Sequence, residues 1–526
     1  MKNWNACLIL SISILISLIS CKYAKKPQMK NKDEILYRPN FHFSPRKNWM
    51  NDPNGMFFYK GNYHLYFQHN PHSNVWGPMH WGHAISKDLI NWEEQPIAIF
   101  PDDLGTIFSG SAVVDLKNTS GFGSIENPPI VAIYTNHNAQ KEKEGSKLFQ
   151  TQSIAYSLDE GQTWTKYNDN PVIENPDIRD FRDPKVIWFE KEQKWILILA
   201  ASQQTKFYQS KDLKNWEYLS SFGEGIGNHD GVWECPDLFE LYVEGTSKSK
   251  WVHLVSINPG GPNGGSATQY FVGDFNGEHF IIDPDFELQM KKEHNFWTDF
   301  GKDNYAGVTY NNWRSKRLGV LYQGWMSNWQ YANVVPTLKW RSAMTLPREL
   351  SLYLSQDSVY RMRSKNIILN EEFFTRKVEK ENISLKNNTL LLNKGLLDLT
   401  RAKIELEISN MEEVKYTFVA SNYNGDFLTF GYDHKEKQFF IDRSNSGVVE
   451  FSENFAFKPS IAPRFRKDNN LKINFILDKT SVELFYDEGE TVMTEIFFPS
   501  EPFQTLSLET LAKKTTLKNL KFQEIK

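Results

Sequence analysis

Cysteine is nearly missing from this 526-residue chain: of the three present, Cys7 and Cys21 fall at the very start and Cys235 stands alone in the remainder. A single thiol cannot close an intramolecular disulfide, so the folded part has to be stabilised by core burial. Cysteine cannot build a metal site either, and the 12 histidines show no His-Glu-x-x-His or other ligand-like spacing, so no metal and no organic cofactor is expected. An excess of one charge is also absent. Lys and Arg number 60 against 64 Asp and Glu, a formal −4, which leaves no basic footprint for nucleic acid. Nor is there an apolar run long enough to cross a bilayer, because the one that follows Lys2, from Cys7 to Ile19, is too short. Up to about residue 350 no amphipathic stripe of three helical turns can be found.

What is present is aromatic and strand-forming. Trp, Tyr and Phe make up 14% of the chain, a load common in carbohydrate-handling and strongly β proteins. From Tyr37 onward short strand-like runs alternate with turn residues. Phe57-Phe58-Tyr59, Lys60-Gly61-Asn62 and Tyr63 to Phe67 spell out a hairpin, and Lys185 to Ala200 spells another. Ser86-Lys87-Asp88-Leu89-Ile90-Asn91-Trp92 nearly recurs as Ser210-Lys211-Asp212-Leu213-Lys214-Asn215-Trp216, and Ser157 to Trp164 is a variant one residue longer. A hairpin copied at uneven spacing suggests radial repetition, the propeller solution to exposed strand edges. The fold expected is therefore all-β, a propeller of about five blades over residues 38–350, then a linker over 351–379. Alternating strands over 380–526 read as a β-sandwich.

Residues 1–20 have the layout of a secretory signal, and Leu18-Ile19-Ser20-Cys21 resembles a lipobox, which makes Cys21 the expected site of lipidation. A polar, Lys-rich tether over 21–37 follows. The expected location is the cell envelope, with the membrane contacted only through that anchor; the oligomeric state is left open.

Three acids sit in unusual settings. Asp52 lies in Trp49-Met50-Asn51-Asp52-Pro53-Asn54-Gly55, a stretch whose proline and glycine argue for a turn that feeds a strand rather than for a central strand. Asp183 in Phe181-Arg182-Asp183-Pro184 and Glu234 in Trp233-Glu234-Cys235-Pro236-Asp237 also stand at strand entrances. In a propeller such entrances ring a central funnel, so acids far apart in sequence can converge. Cleaving a glycosidic bond needs such a set, one carboxyl to protonate the leaving oxygen and another to attack or to activate water. Arg182 is expected to keep Asp183 ionised, while Glu234, with little polar help in sequence, is the candidate for the protonated acid.

These blocks, with Phe108-Ser109-Gly110-Ser111 and, near the C-terminus, Ser481 to Tyr486 and Ile496 to Pro499, resemble the signatures of glycoside hydrolase family 32, the invertase, inulinase and levanase family. The resemblance implies a five-bladed propeller and a C-terminal sandwich. It also implies hydrolysis of β-D-fructofuranosides with retention, with Asp52 as nucleophile, Glu234 as acid/base and Asp183 as the stabiliser that grips fructose hydroxyls. Asn51, Gln68, Trp76, Phe108, Ser109, Arg182, Asp237, Tyr305 and Trp325 fall in segments similar to those lining the family's fructose pocket. Gly260 to Gly273 and Trp325 to Tyr331 look like the exo-acting inulinase and levanase branch, so release of terminal fructose from levan, inulin, fructo-oligosaccharides and sucrose is expected. An inverting arabinan or xylan hydrolase, a fructosyltransferase and a non-catalytic fructan-binding lipoprotein are the alternatives.

Overall fold

The first hairpin forms where its sequence asks for it: Asn48–Tyr59 and Asn62–Asn70 are joined through Lys60 and Gly61 at φ 47° and 81°, the mirror-image turn that suits the right-handed twist of paired strands. The computed structural model describes residues 32–315, 319–367, 371–384, 388–393 and 395–526. The leader, Cys21 and most of the tether lie outside the described residues, and Lys32–Tyr37 is a short helix.

Five antiparallel sheets follow in chain order. Their innermost strands are Asn48–Tyr59, Thr106–Val114, Phe181–Phe189, Val232–Tyr242 and Tyr305–Thr309, and these neighbour one another around a common axis. Each blade then steps outward through three further strands, as in Phe181–Phe189, Lys194–Ala201, Gln204–Ser210 and Glu217–Phe222. Trp340–Arg341 pairs in parallel with Asn48 and Trp49, so the end of the fifth blade's turn is stitched to the first blade. The architecture is the expected one, all-β with a propeller and a sandwich.

The sequence echo is one turn reused between the third and fourth strands of blades one, two and three. In each copy the serine hydroxyl donates to the aspartate two residues on, at 3.1 Å for Ser86, 2.7 Å for Ser157 and 3.1 Å for Ser210. The same oxygen accepts a backbone N–H from Leu89, Gly161 or Leu213. Trp92 and Trp216 then close the turn by donating to the carbonyls of Leu89 and Leu213, both at 3.1 Å. Blade five carries a degenerate copy that the sequence echo does not reveal, with Ser355 bonded to Asp357 and Ser358 at φ 62° but no tryptophan.

The stretch 351–379, expected as a linker, is largely sheet. Arg348–Leu354 and Tyr360–Asn366 complete blade five, and Phe374–Ser384 opens the sandwich. Its charges gave it the look of a connector, yet they are tied down: Arg363 pairs with Glu244 and Glu490, and the Arg361 guanidinium lies 4.0 Å over the Phe465 ring.

Two six-stranded sheets form the sandwich, with Phe418, Phe430 and Phe475 packed between them. It is locked to the propeller by buried ion networks. Arg348 of blade five reaches Asp299 at 2.8 Å and Glu483 at 3.0 Å, and Glu483 in turn meets His42 at 2.9 Å. Arg443 spans from Asp303 at 2.6 Å to Glu495 at 2.7 Å. Burial alone opposes a charge on His42, but the hydrogen bonds to Asp478 and Glu483 outweigh it and push its pKa up to about 9. Breaking such fully buried pairs by removing one partner is costly, so the two domains are held in one fixed relation.

Candidate active site

The Asn-Asp-Pro-Asn-Gly stretch, expected as a turn ahead of a strand, lies inside Asn48–Tyr59. The reason is that an innermost strand is paired along one side only for most of its length, so the donor that Pro53 lacks costs no ladder bond. The ladder also slips there, between Met50 and Pro53. All five inner strands slip in the same way near their start: between Ile107 and Gly110, Arg182 and Lys185, Glu234 and Asp237, and Tyr305 and Val308. Asp183, Cys235 and Ala306 take positive φ values of 63°, 44° and 52° within these bulges. A bulge re-aims side chains that regular pleating would send elsewhere, and five of them form a ring of polar groups at the funnel.

The three acids meet in that ring. Asp52 accepts from Ser109 Oγ at 2.7 Å and from Asn51 Nδ2 at 3.0 Å. The Cys235 thiol lies 3.7 Å from Asp52 Oδ2 and 3.5 Å from Asp183 Oδ2, so two carboxylates touch one sulfur. Asp183 also accepts the Cys235 backbone N–H at 3.0 Å. Arg182 carries the connection on, with Nε 3.9 Å from Asp183 and Nη2 donating to Glu234 Oε1 at 3.0 Å. Its Nη1 is braced by Asp180 at 2.6 Å. The Tyr305 hydroxyl donates to Glu234 Oε2.

Glu234 was expected to have the least polar support, and this is overturned: it receives Arg182 through two nitrogens and Tyr305 through a hydroxyl. The sequence concealed this because both donors come from other blades. The desolvated carboxyls are instead the two aspartates. Burial, followed by the nearby Glu234 charge, pushes Asp52 up to about 6 against the pull of Ser109 and Asn51. Burial likewise pushes Asp183 up to about 7, with Arg182 opposing and the other two acids adding to the rise. The expectation that Arg182 keeps Asp183 fully ionised is thus outweighed by burial.

The other sequence candidates divide. Asn51, Ser109, Arg182 and Tyr305 contact the acids directly. Gln68 is buried, and among the described residues its Nε2 has no hydrogen-bond partner, which leaves a donor for another molecule. Trp76 is 43% exposed and meets Phe108 edge-on at 6.1 Å, while Phe108 stacks on His137 at 4.3 Å, so these three rings form a rim. Trp325 is fully buried, packed at a tilt against Trp49, Trp329 and Tyr305, and supports the wall from behind. Asp237 is not brought to the acids. It is fully buried below them, bonded to Lys185 at 3.1 Å and to the N–H and hydroxyl of Thr309 at 2.6 and 2.8 Å, so its carboxylate is used up inside the protein. Alternation explains the error, since Asp237 follows the bulge that turns Glu234 into the funnel. Cys235, Asp180 and His137 were not picked out as site residues; the only signal was that Cys235 adjoins Glu234 and Asp180 precedes Arg182 by two.

The model for the glycosyl hydrolases family 32 N-terminal domain matches residues 42–363, and that for the family's C-terminal region matches 370–524. A levanase of Bacillus subtilis (strain 168) is 44% identical over 494 residues, 93% of this chain and 70% of the relative. An extracellular exo-inulinase of Aspergillus niger is 39% identical over 523 residues, 93% of this chain and 94% of the relative. Among solved structures, exo-inulinase from Aspergillus awamori aligns with TM-score 0.82 at 37% identity, covering 93% of this chain and 98% of the other. A β-fructofuranosidase from Schwanniomyces occidentalis, solved with fructosyl-erythritol, aligns with TM-score 0.82 at 35% identity, covering 93% and 97%.

Proposed function

Because this chain belongs to the glycosyl hydrolases family 32, we propose that its three-acid funnel cleaves β-fructosides by a double displacement. It is a glycoside hydrolase that releases fructose from β-fructofuranosides. The observation that carries the mechanism is the joining of Asp52, Asp183 and Glu234 through Cys235 and Arg182 at one level of the funnel.

In the first step Asp52, aligned by Ser109 and Asn51, attacks the anomeric carbon of the fructosyl unit. The bond to the leaving oxygen breaks as Glu234 delivers a proton to it. In the second step Glu234, now a carboxylate, takes a proton from water, and the hydroxide equivalent displaces Asp52. Asp183 accepts hydrogen bonds from fructose hydroxyls as positive charge develops on the ring, and the Gln68 amide supplies a donor. The Trp76, Phe108 and His137 rim gives the sugar an apolar wall. Time-resolved NMR on purified protein with sucrose, inulin and levan tests this: the first product signal is expected from fructose in the β configuration, before mutarotation. Inversion, or fructosyl oligomers in place of free fructose, would refute hydrolytic double displacement in favour of an inverting or a transferring enzyme.

The fructan relatives include an enzyme described as extracellular, and polymeric substrate calls for export. We therefore propose that residues 1–20 are cleaved and that Cys21 is lipidated, on the strength of the apolar run and the Leu18 to Cys21 block. Cys21→Ala is expected to move the protein out of the detergent-extracted membrane fraction; unchanged partitioning would remove the anchor.

A further inference from the structure

The inner strands that carry the acids near their starts end, at the other mouth of the axis, in a second cavity of about 490 Å³ that the reaction does not use. The ends of the inner strands of blades two to five supply its walls, including Trp188, Tyr310 and Trp313, with Trp251 beside them. Thr309 lines it, and Thr309 with Asp237 and Lys185 forms a buried polar plug that separates this cavity from the funnel. The two mouths are therefore independent sites.

The chemistry of the lining selects a class of ligand. Trp188 and Trp313 are half-buried, and among the described residues no ring stacks on Trp313. The cations of the rim are engaged: Lys117 lies 3.8 Å from Glu190 and 4.7 Å over the Trp188 ring, and Arg314 donates to the Glu240 carbonyl at 2.8 Å. With each cation matched by a protein acceptor, an anion gains little here. Asn311 and Asn312 each donate an amide N–H to a protein carbonyl, of Ala112 and Phe58, which fixes their amides among the aromatic faces with the amide oxygens left as acceptors, while the Glu190 carboxylate is held by Trp188 and Gln193. Fixed acceptors between aromatic faces are the mixture that holds a neutral, polyhydroxylated molecule. The volume lies in the range of small-ligand sites, about 300–1,000 Å³.

We propose that this distal cavity is a second saccharide site, which holds sugar units of the polymer while a chain end is cut in the funnel. The inference rests on the reading that fructan is the substrate. Its effect is to raise the local concentration of polymer ends without any change in the chemistry, so it acts on long substrates and not on sucrose.

Two variants test it, Trp188→Ala, which removes a wall, and Leu116→Trp, which fills the mouth from a position that is 53% exposed and so removes no packing. Each is expected to keep kcat and KM on sucrose within about twofold while KM on levan or inulin rises about fivefold or more. In the non-cleaving Asp52→Ala background, either change is expected to abolish most of the retardation of the protein in gels containing levan. Unchanged polymer KM and retardation in Leu116→Trp would overturn the proposal, even if Trp188→Ala failed to fold. An equal rise in KM for sucrose would overturn it too, since the effect would then lie in the funnel. Failure of the wild type to release fructose from sucrose would count against the funnel mechanism instead, while levan retardation of Asp52→Ala would still report on the cavity.

Discussion

Asp52→Asn is expected to lower kcat on sucrose by at least about 10⁴-fold and, at the same time, to make the protein more stable at neutral pH. The first effect follows from the role proposed for Asp52, attack on the anomeric carbon to form the fructosyl ester. The second follows from the sign of its pKa shift. Burial and the Glu234 charge raise the Asp52 carboxyl to about 6, so the fold favours its neutral form. Its contribution to stability is complete below the ordinary carboxylate value and is lost as pH rises through about 6. At pH 7.5 the wild type holds an ionised, desolvated carboxylate that asparagine does not have. Denaturant unfolding should therefore favour the variant by about 1 to 3 kcal/mol at pH 7.5, with the difference closing near pH 4. The same shift fixes the acid limb of wild-type activity, because attack needs the ionised form: kcat/KM should fall as pH drops below about 6 rather than below 4. A difference in stability that does not vary with pH, or an asparagine variant within a hundredfold of wild type, would contradict the assignment.

The Ser-x-Asp turns declared themselves because the side-chain hydrogen bonds that make them are local: those joining Ser86 to Asp88 and Leu89, and Leu89 to Trp92, all close within seven residues, so the motif and the turn are one object. The acids were legible as candidates through Pro53, Pro184 and Pro236, which mark places where an inner strand departs from regular pairing. What could not be read was direction. Whether Glu234 or Asp237 faces the funnel depends on one extra residue in a bulge, and that is set by the partner strand Ser249–Asn258. The surroundings of Glu234 were equally hidden, since Arg182 and Tyr305 lie 52 and 71 residues away. The charged stretch before the sandwich misled for the same reason, because Glu244 and Glu490, which pair with Arg363, lie far from it in the chain.

Those distant partners set what removing Glu234 should do. Two Arg182 nitrogens occupy Oε1, so Oε2, beside the Tyr305 hydroxyl, is the oxygen left to exchange a proton with the substrate. Burial and then the Glu234 charge push the Tyr305 phenol well above its ordinary value, so it stays protonated and acts as a fixed donor that orients the acid. Glu234→Ala should then lower kcat on sucrose by roughly 10² to 10⁴-fold, the range for loss of a general acid, because the leaving oxygen of glucose departs poorly without a proton. A β-fructoside with an activated aryl leaving group needs no such help in the first step, so its leaving group should appear as a burst equal to the enzyme concentration. Turnover after the burst should be slow, since the same residue is needed to deprotonate the incoming water. A burst followed by stalling separates loss of the acid/base from loss of the nucleophile, because Asp52→Asn should give no burst with any substrate. Equal losses on sucrose and on the activated substrate would show that Glu234 shapes the funnel without moving a proton, and the acid would then have to be sought in Asp183, whose carboxyl burial pushes up to about 7.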